Sequence, residues 1–430
     1  MKASSLDWVV RFFEPHMALE GDSLNTWFVE RPGTTRRMLK GYLEINRGNQ
    51  KILMVGHRGN GKSTELNKLA QEIKDTFHII LFSVTKSLPS LSSLGYEDLM
   101  LLISTRVIRD CIDNSLINRP LADAVRGRWE KIQDWWQQVV AGLEFKPSSS
   151  EAGVGVTLKT LLGDIELGVE QSSLTRDAIR EQINRRMPEL IENLNWAIDQ
   201  ARAATSKQVL IVVEDVDKID PDAALEIFKG HSTTLTTQIK AAMIYTLPTA
   251  LRYSYDFNII RQSFNKVCSL PNIATHHPDK SPIPEGIDTL RNLVLARVEE
   301  NLIDTDAMIL LLQSCGGIPS QLIVMVRDAA LYASAVRNTA QITTEDVNYV
   351  IKDLRDNFLR PALSEQDIVM LRKRHQTHQL TKEPSEESLL YNGSLIDYGN
   401  GEPWCDANPV LWPLLENGDG NTQSSTSEED

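Results

Sequence analysis

"GHRGNGKST", residues Gly56 to Thr64, crowds three glycines, a lysine and two hydroxyls into nine positions. It follows the apolar run "KILMV" (51–55) and precedes a stretch whose Leu66, Leu69, Ala70 and Ile73 share one helical face. Gly56, Gly61, Lys62 and Ser63 satisfy GxxxxGK[ST] with nothing missing. Such a loop needs glycine because it wraps phosphates so closely that backbone N–H groups make the cradle. Gly56, Gly59, Asn60, Gly61, Lys62, Ser63 and Thr64 are therefore the expected nucleotide-binding residues. Lys62 would reach the β and γ phosphates, the Ser63 hydroxyl would ligate Mg²⁺, and the helix starting at Lys62 would aim its positive end at the anion. ATP and Mg²⁺ are the cofactors this predicts.

Working outward, "FHIILFSV" (77–84), "QVLIVV" (208–213), "KAAMIYT" (240–246) and "NKVCSLP" (265–271) are further buried-strand runs, separated by helical patterns. Alternation of that kind predicts an α/β fold: a P-loop parallel sheet covered by helices on both faces. The third run ends in Glu214, Asp215 and Asp217. Ligands bind at the carboxyl ends of strands in such sheets, so acids there can meet a metal ion. Glu214 is assigned to the Mg²⁺ shell, Asp215 to the attacking water and Asp217 to support; helix capping near Pro221 is the alternative for these acids.

The 430 residues carry a formal charge of −13 with a pI near 5.2, which disfavours a chain built mainly to coat nucleic acid. Four cysteines stand far apart with no CxxC pair, as reduced structural thiols would. The start, "MKASSLDW", has no signal-peptide core. Residues 307–326 lack charge and approach membrane-span length, but Gly316, Gly317 and Pro319 divide them into two buried helices. The expectation is a cytoplasmic protein without membrane attachment.

Residues 1–50 read as a lead-in, 51–275 as the ATPase core, and about 90–205 as an insertion within it. In the insertion, Trp129, Trp135 and Trp136 suit packing of extra helices, or a partner surface. "GVGVTLKTLLGDIELGVE" alternates Val154, Val156, Leu158 and then Ile165, Leu167, Val169 about Gly163-Asp164, a hairpin signature. Residues 276–360 are helical, with Thr343 or Thr344 as an N-cap; 361–416 combine amphipathic helices with two short strands; 417–430 are polar and expected to be disordered.

"GHRGNGKST", "LIVVEDVD", "MIYTLP" and "GGIPSQLIVMVRDA" followed by "ITTEDV" resemble the AAA+ ATPases of the origin-recognition/Cdc6 and transposition-regulator branch, and the related STAND ATPases. The resemblance covers roughly residues 25–415. It implies a five-stranded core, a helical lid and a C-terminal winged-helix-like module. Thr246, ending the fourth strand, would orient the γ-phosphate or water. An arginine before the fifth strand would reach a neighbouring subunit's site; Arg261 holds that place, with Arg252 as competitor. Two departures, Ser320 where lids of this type often carry arginine and Glu214 in place of the usual aspartate, leave binding intact and put fast hydrolysis in doubt.

The reading is thus a slowly hydrolysing ATPase acting as a nucleotide-dependent oligomeric switch or scaffold, with a homo-oligomer formed on ATP. Its competitors are a DNA-associated ATPase recruiting partners through the winged helix, and a sensor that binds ATP without turnover. Between 365 and 430 thirteen acidic residues face four basic ones, so protein contacts through the C-terminal module or the insertion are favoured over DNA. His375 and His378 read as polar surface rather than a metal pair.

Overall fold

The computed structural model describes residues 2–15, 17–86, 94–117, 123–140, 158–171, 173–231, 234–381, 383–399 and 404–416. Each apolar run read as a strand is one: β1 (Lys51–Gly56), β2 (Phe77–Ser83), β3 (Gln208–Glu214), β4 (Ala242–Pro248) and β5 (Lys266–Ser269). They pair in parallel in the order β2-β3-β4-β1-β5, with Met54 opposite Thr246 and Ser83 opposite Glu214. That register brings the carboxyl ends of β1, β2, β3 and β4 to one edge.

Both faces of the sheet are covered, which is why its strands are apolar throughout rather than alternating. Leu53, Val55, Val209, Ile211, Val213, Met243 and Tyr245 point into a large core shared with the inserted helices. Ile52, Met54, Leu210, Val212 and Ile244 point the other way, against Leu39 and Leu43 of one helix and Leu66 and Leu69 of another. At the opposite edge the fully buried Lys51 donates Nζ hydrogen bonds to the carbonyls of Asn49, Ile239 and Ala241 at 2.7–2.9 Å. A lysine can sit there because all three of its donors are satisfied.

The helices run α1 (Leu6–Phe12), α2 (Gly21–Trp27), α3 (Thr35–Ile45) and α4 (Lys62–Ile73). The insertion between β2 and β3 supplies α5 (Tyr96–Asp113), α6 (Asp123–Val140), α7 (Leu158–Gln171), α8 (Ser173–Arg185) and α9 (Met187–Thr205). The hairpin expectation is corrected here. Val154 and Val156 lie outside the described residues, and the stretch around Gly163-Asp164 is the middle of α7. Leu158, Leu161, Leu162 and Ile165 are all buried, a stripe at i, i+3, i+4 and i+7 that outweighs the short alternation. Trp135 and Trp136 are buried among these helices. Pro188 restarts the chain as α9.

After β3 come α10 (Pro221–Leu225), α11 (Thr249–Tyr253) and α12 (Phe257–Ser263), the last two between β4 and β5. The lid consists of α13 (Pro284–Leu295), α14 (Thr305–Ser314), α15 (Pro319–Ala335) and α16 (Thr344–Asp353). Gly316 and Gly317 turn α14 into α15, and Thr343 caps α16 in a capping box with Asp346. Among the described residues no helix is long and apolar enough to cross a membrane. The N-terminal helix belongs to this lid: Leu6, Val9 and Phe13 share a core with Val326, Ala329 and Ala330, and Ala3 bridges to Val298. The chain thus starts in the lid, crosses to the sheet through residues 13–34, and returns after β5.

The C-terminal part has α17 (Glu365–Thr377), α18 (Pro384–Tyr391), the antiparallel pair β6 (Leu395–Asp397) and β7 (Cys405–Ala407), and α19 (Trp412–Glu416), a winged-helix-like layout around Leu371, Leu389, Leu395 and Leu411. Residues 400–403 and the tail 417–430 lie outside the described residues.

Candidate nucleotide site

The loop between β1 and α4 is shaped by two left-handed glycines, Gly59 at φ +82° and Gly61 at φ +94°. Residues with a Cβ rarely adopt such angles, and at Gly59 an added Cβ would also strike Ser320. Lys62 opens α4 and folds back: its Nζ donates to the Gly56 and His57 carbonyls at 2.7 Å each and pairs with Asp217 Oδ2 at 2.9 Å. Both partners of that ion pair are buried. Asp217, expected to support the site, therefore meets the lysine itself.

Parallel pairing sets the end of β3 beside the start of α4. Glu214 is buried, the nearby Ser63 hydroxyl acts to lower its pKa, and its Oε1 has no hydrogen-bond partner. Burial, followed by the adjacent Asp215 charge, pushes its carboxyl up to about 7. Thr246, expected to end the fourth strand, lies two residues before the end of β4, which runs on through Leu247 and Pro248; its Oγ1 is likewise buried and unpartnered. Buried polar atoms without partners are uncommon, and two of them towards the carboxyl ends of β3 and β4 suit a ligand that would satisfy them.

Asp215 points elsewhere. Its backbone is left-handed at φ +66°, and its carboxylate accepts from Ser83 Oγ at 2.5 Å and Thr85 Oγ1 at 2.6 Å and pairs with Lys218 at 2.7 Å. Burial pushes this carboxyl up, but those three partners outweigh it and leave it below its ordinary value. Ser83 could have been found in the sequence, since a hydroxyl ending the strand beside β3 must face the acids.

Segments distant in the chain touch the loop. Arg31 donates from Nη1 to the Asn60 carbonyl at 2.8 Å. Ser320, at the start of α15, donates its N–H to the Gly59 carbonyl at 3.1 Å, so the position lacking the lid arginine lies on the cradle. The N–H of Asp397 in β6 donates to His57 Nε2 at 2.8 Å. Burial, with Lys62 nearby, holds His57 down to about 3, so it is neutral and Nε2 accepts. Thr64 accepts from the Leu19 N–H at 3.2 Å.

The two arginine candidates separate. Arg261 is exposed on the last turn of α12. Arg252 is engaged within its own chain, donating to Ser269 Oγ at 3.0 Å and standing 3.8 Å from Asp397. His375 and His378 flank the buried Asp406, with His375 Nδ1 at 2.5 Å, and among the described residues no cluster suited to a metal ion is found.

No family model and no curated protein matches the sequence. Solved structures align with almost all of it. Cdc6p of Pyrobaculum aerophilum is 15% identical, with 94% of this chain and 96% of that chain covered and a TM-score of 0.40. Orc1 of Aeropyrum pernix, solved in complex with DNA, is 12% identical over 95% and 96%, with a TM-score of 0.43. The RuvB Holliday junction branch migration motor of Thermotoga maritima is 12% identical over 94% and 98%, with a TM-score of 0.38. The fold is an α/β P-loop fold with a helical lid, read from the chain's own sheet order, glycine loop and acidic strand end.

Proposed function

We propose that this chain binds ATP with Mg²⁺ in the Gly56–Thr64 loop, hydrolyses it slowly, and uses the bound state to control assembly with copies of itself. The buried, unsatisfied Oε1 of Glu214, with the Ser63 hydroxyl nearby at the start of α4, carries the reading. Divalent cations take oxygen ligands, and a hydroxyl beside a carboxylate at a phosphate cradle is a suitable pair. When bound, the ion would neutralise phosphate charge and hold the γ-phosphate for in-line attack.

The chain's own residues supply the remainder. Lys62 exchanges Asp217 and two carbonyls for phosphate oxygens. Thr246 offers an unused hydroxyl to orient the γ-phosphate or the water. Asp215 is assigned to the water, but it must first leave Ser83, Thr85 and Lys218 before it can accept a proton, which favours slow turnover. The same grip favours the second reading, a sensor without hydrolysis. Binding of DNA through the Arg372-Lys373-Arg374 cluster is disfavoured: Arg374 is buried on Glu386 and Glu383, Arg372 donates to the Leu415 carbonyl, and Lys373 stands 3.7 Å from Glu383.

Calorimetry and phosphate release on one set of proteins test this. Wild type should bind ATP with Mg²⁺, and Lys62→Ala should lose at least about tenfold in affinity through its missing charge–phosphate contact. Asp215→Asn should keep affinity and lose turnover. Equal binding by Lys62→Ala would remove the site, and no phosphate release from wild type would leave the sensor.

A further inference from the structure

Arg31 belongs to the segment after α2, outside the strand-loop-helix unit, yet its guanidinium reaches the loop. Nη1 donates to the Asn60 carbonyl at 2.8 Å and Nη2 to the Pro271 carbonyl. The buried Nε has no hydrogen-bond partner, and among the described residues no carboxylate comes within ion-pairing distance. Burial lowers its pKa to about 10, against the pull of the more distant Glu65 charge. A cation buried on carbonyls alone costs free energy, so its place calls for a reason beyond packing.

The peptide it holds suggests one. In a planar trans peptide the C=O and N–H point in opposite directions. With the Asn60 oxygen fixed on Arg31, the Gly61 N–H must face the other side of the loop. Gly61 is the N-cap of α4, where unpaired N–H groups gather around phosphate. The Asn60 side chain is tied as well, its Nδ2 donating to the Leu270 carbonyl at 2.5 Å. Both ties end on the two residues that follow β5, so the peptide is anchored at carbonyl and side chain to one rigid place.

We propose that Arg31 is a positioning residue of the phosphate cradle, holding the Asn60–Gly61 peptide so that the Gly61 N–H donates to the phosphates of a nucleoside di- or triphosphate. This rests on the nucleotide-binding reading above.

The test uses the full chain as wild type, Arg31→Ala and Arg31→Lys, with ADP as the probe. Calorimetry gives affinity, and the Gly61 amide proton in a ¹⁵N-labelled sample reports the hydrogen bond. In wild type ADP should move that resonance downfield. Arg31→Ala should bind ADP about tenfold more weakly, as for loss of a charge-assisted contact, and lose most of the shift. Arg31→Lys should recover part of both, because it keeps the charge but lacks the planar fork whose two terminal nitrogens reach the Asn60 and Pro271 carbonyls together. If Arg31→Ala fails to fold, a partial loss of both readouts in Arg31→Lys supports the assignment and wild-type behaviour overturns it. Weakened binding with the Gly61 shift intact makes Arg31 a mere strut and overturns it; so does unchanged affinity. Failure of wild type itself to bind ADP defeats the nucleotide reading and this proposal together, a result visible before any variant is made.

Discussion

Glu214 joins two demands that oppose each other. The proposed Mg²⁺ site would gain from a carboxylate at the ion, but burial and Asp215 favour the neutral acid and push its pKa up to about 7. Metal and proton would therefore compete. Mg²⁺-dependent nucleotide affinity should fall as pH drops from 8 to 6, by about tenfold per pH unit once below 7, and Glu214→Gln should bind weakly at both. Calorimetry at the two pH values decides it; a wild-type affinity that ignores pH would assign the ion to another group. The sign for stability is the reverse. The unfolded carboxyl ionises near 4.5 and the folded one near 7, so the folded state holds the extra proton between them and this group's contribution declines as pH rises through that window. The local part of the site was legible in the sequence because a glycine loop and an acidic strand end are defined by neighbours in the chain. Arg31, and the His57 contact with Asp397 across 340 residues, left no such signal.

Among the elements, α12 carries the test of assembly. Tyr255 just before it is 79% exposed and Ile259 within it 50%, beside the exposed Arg261. Apolar side chains around an arginine are the composition of an interface core. Mass photometry should find wild type shifting to a multi-subunit species with a slowly hydrolysed ATP analogue, and Arg261→Ala remaining small while still binding nucleotide. Arg252→Ala should assemble normally, since that side chain is occupied by Ser269 and Asp397. A loss of assembly only in Arg252→Ala would reverse the two assignments. The misread element, α7, has a physical lesson of its own. Alternation over three or four residues is shared by strands and by stretches of helix, and only the longer stripe at Leu158, Leu161, Leu162 and Ile165 distinguishes them. The capped α16 gave no such trouble, because a Thr-x-x-Asp start names its own boundary.

Over the whole molecule, the C-terminal module is fastened to segments beside the candidate site. Asp397 binds His57, Tyr391 donates to the carbonyls of Lys218 and Ile219 at 3.2 Å, and Asn272 donates to the Asp397 carbonyl at 3.0 Å. His57→Ala should cost about 1–2 kcal/mol at pH 7.5 by leaving the Asp397 N–H buried without an acceptor. Its folded pKa is depressed to about 3 from 6.5, so the contribution is full above 6.5 and is lost as pH falls toward 3. Urea midpoints for variant and wild type should therefore approach each other at pH 5; a gap as wide as at pH 7.5 would show that the ring does not titrate against folding. The order of strands and the run of helices were legible from apolar periodicity, but which modules meet was not, since no local pattern encodes a contact between chain ends.

One such meeting governs how the molecule can move. Because α1 packs inside the lid and Ala3 bridges to Val298, the lid is joined to the sheet by two lengths of backbone, residues 13–34 and the stretch after β5. A door hung on one pin can twist and drift, whereas a door on two can only swing about the line through them.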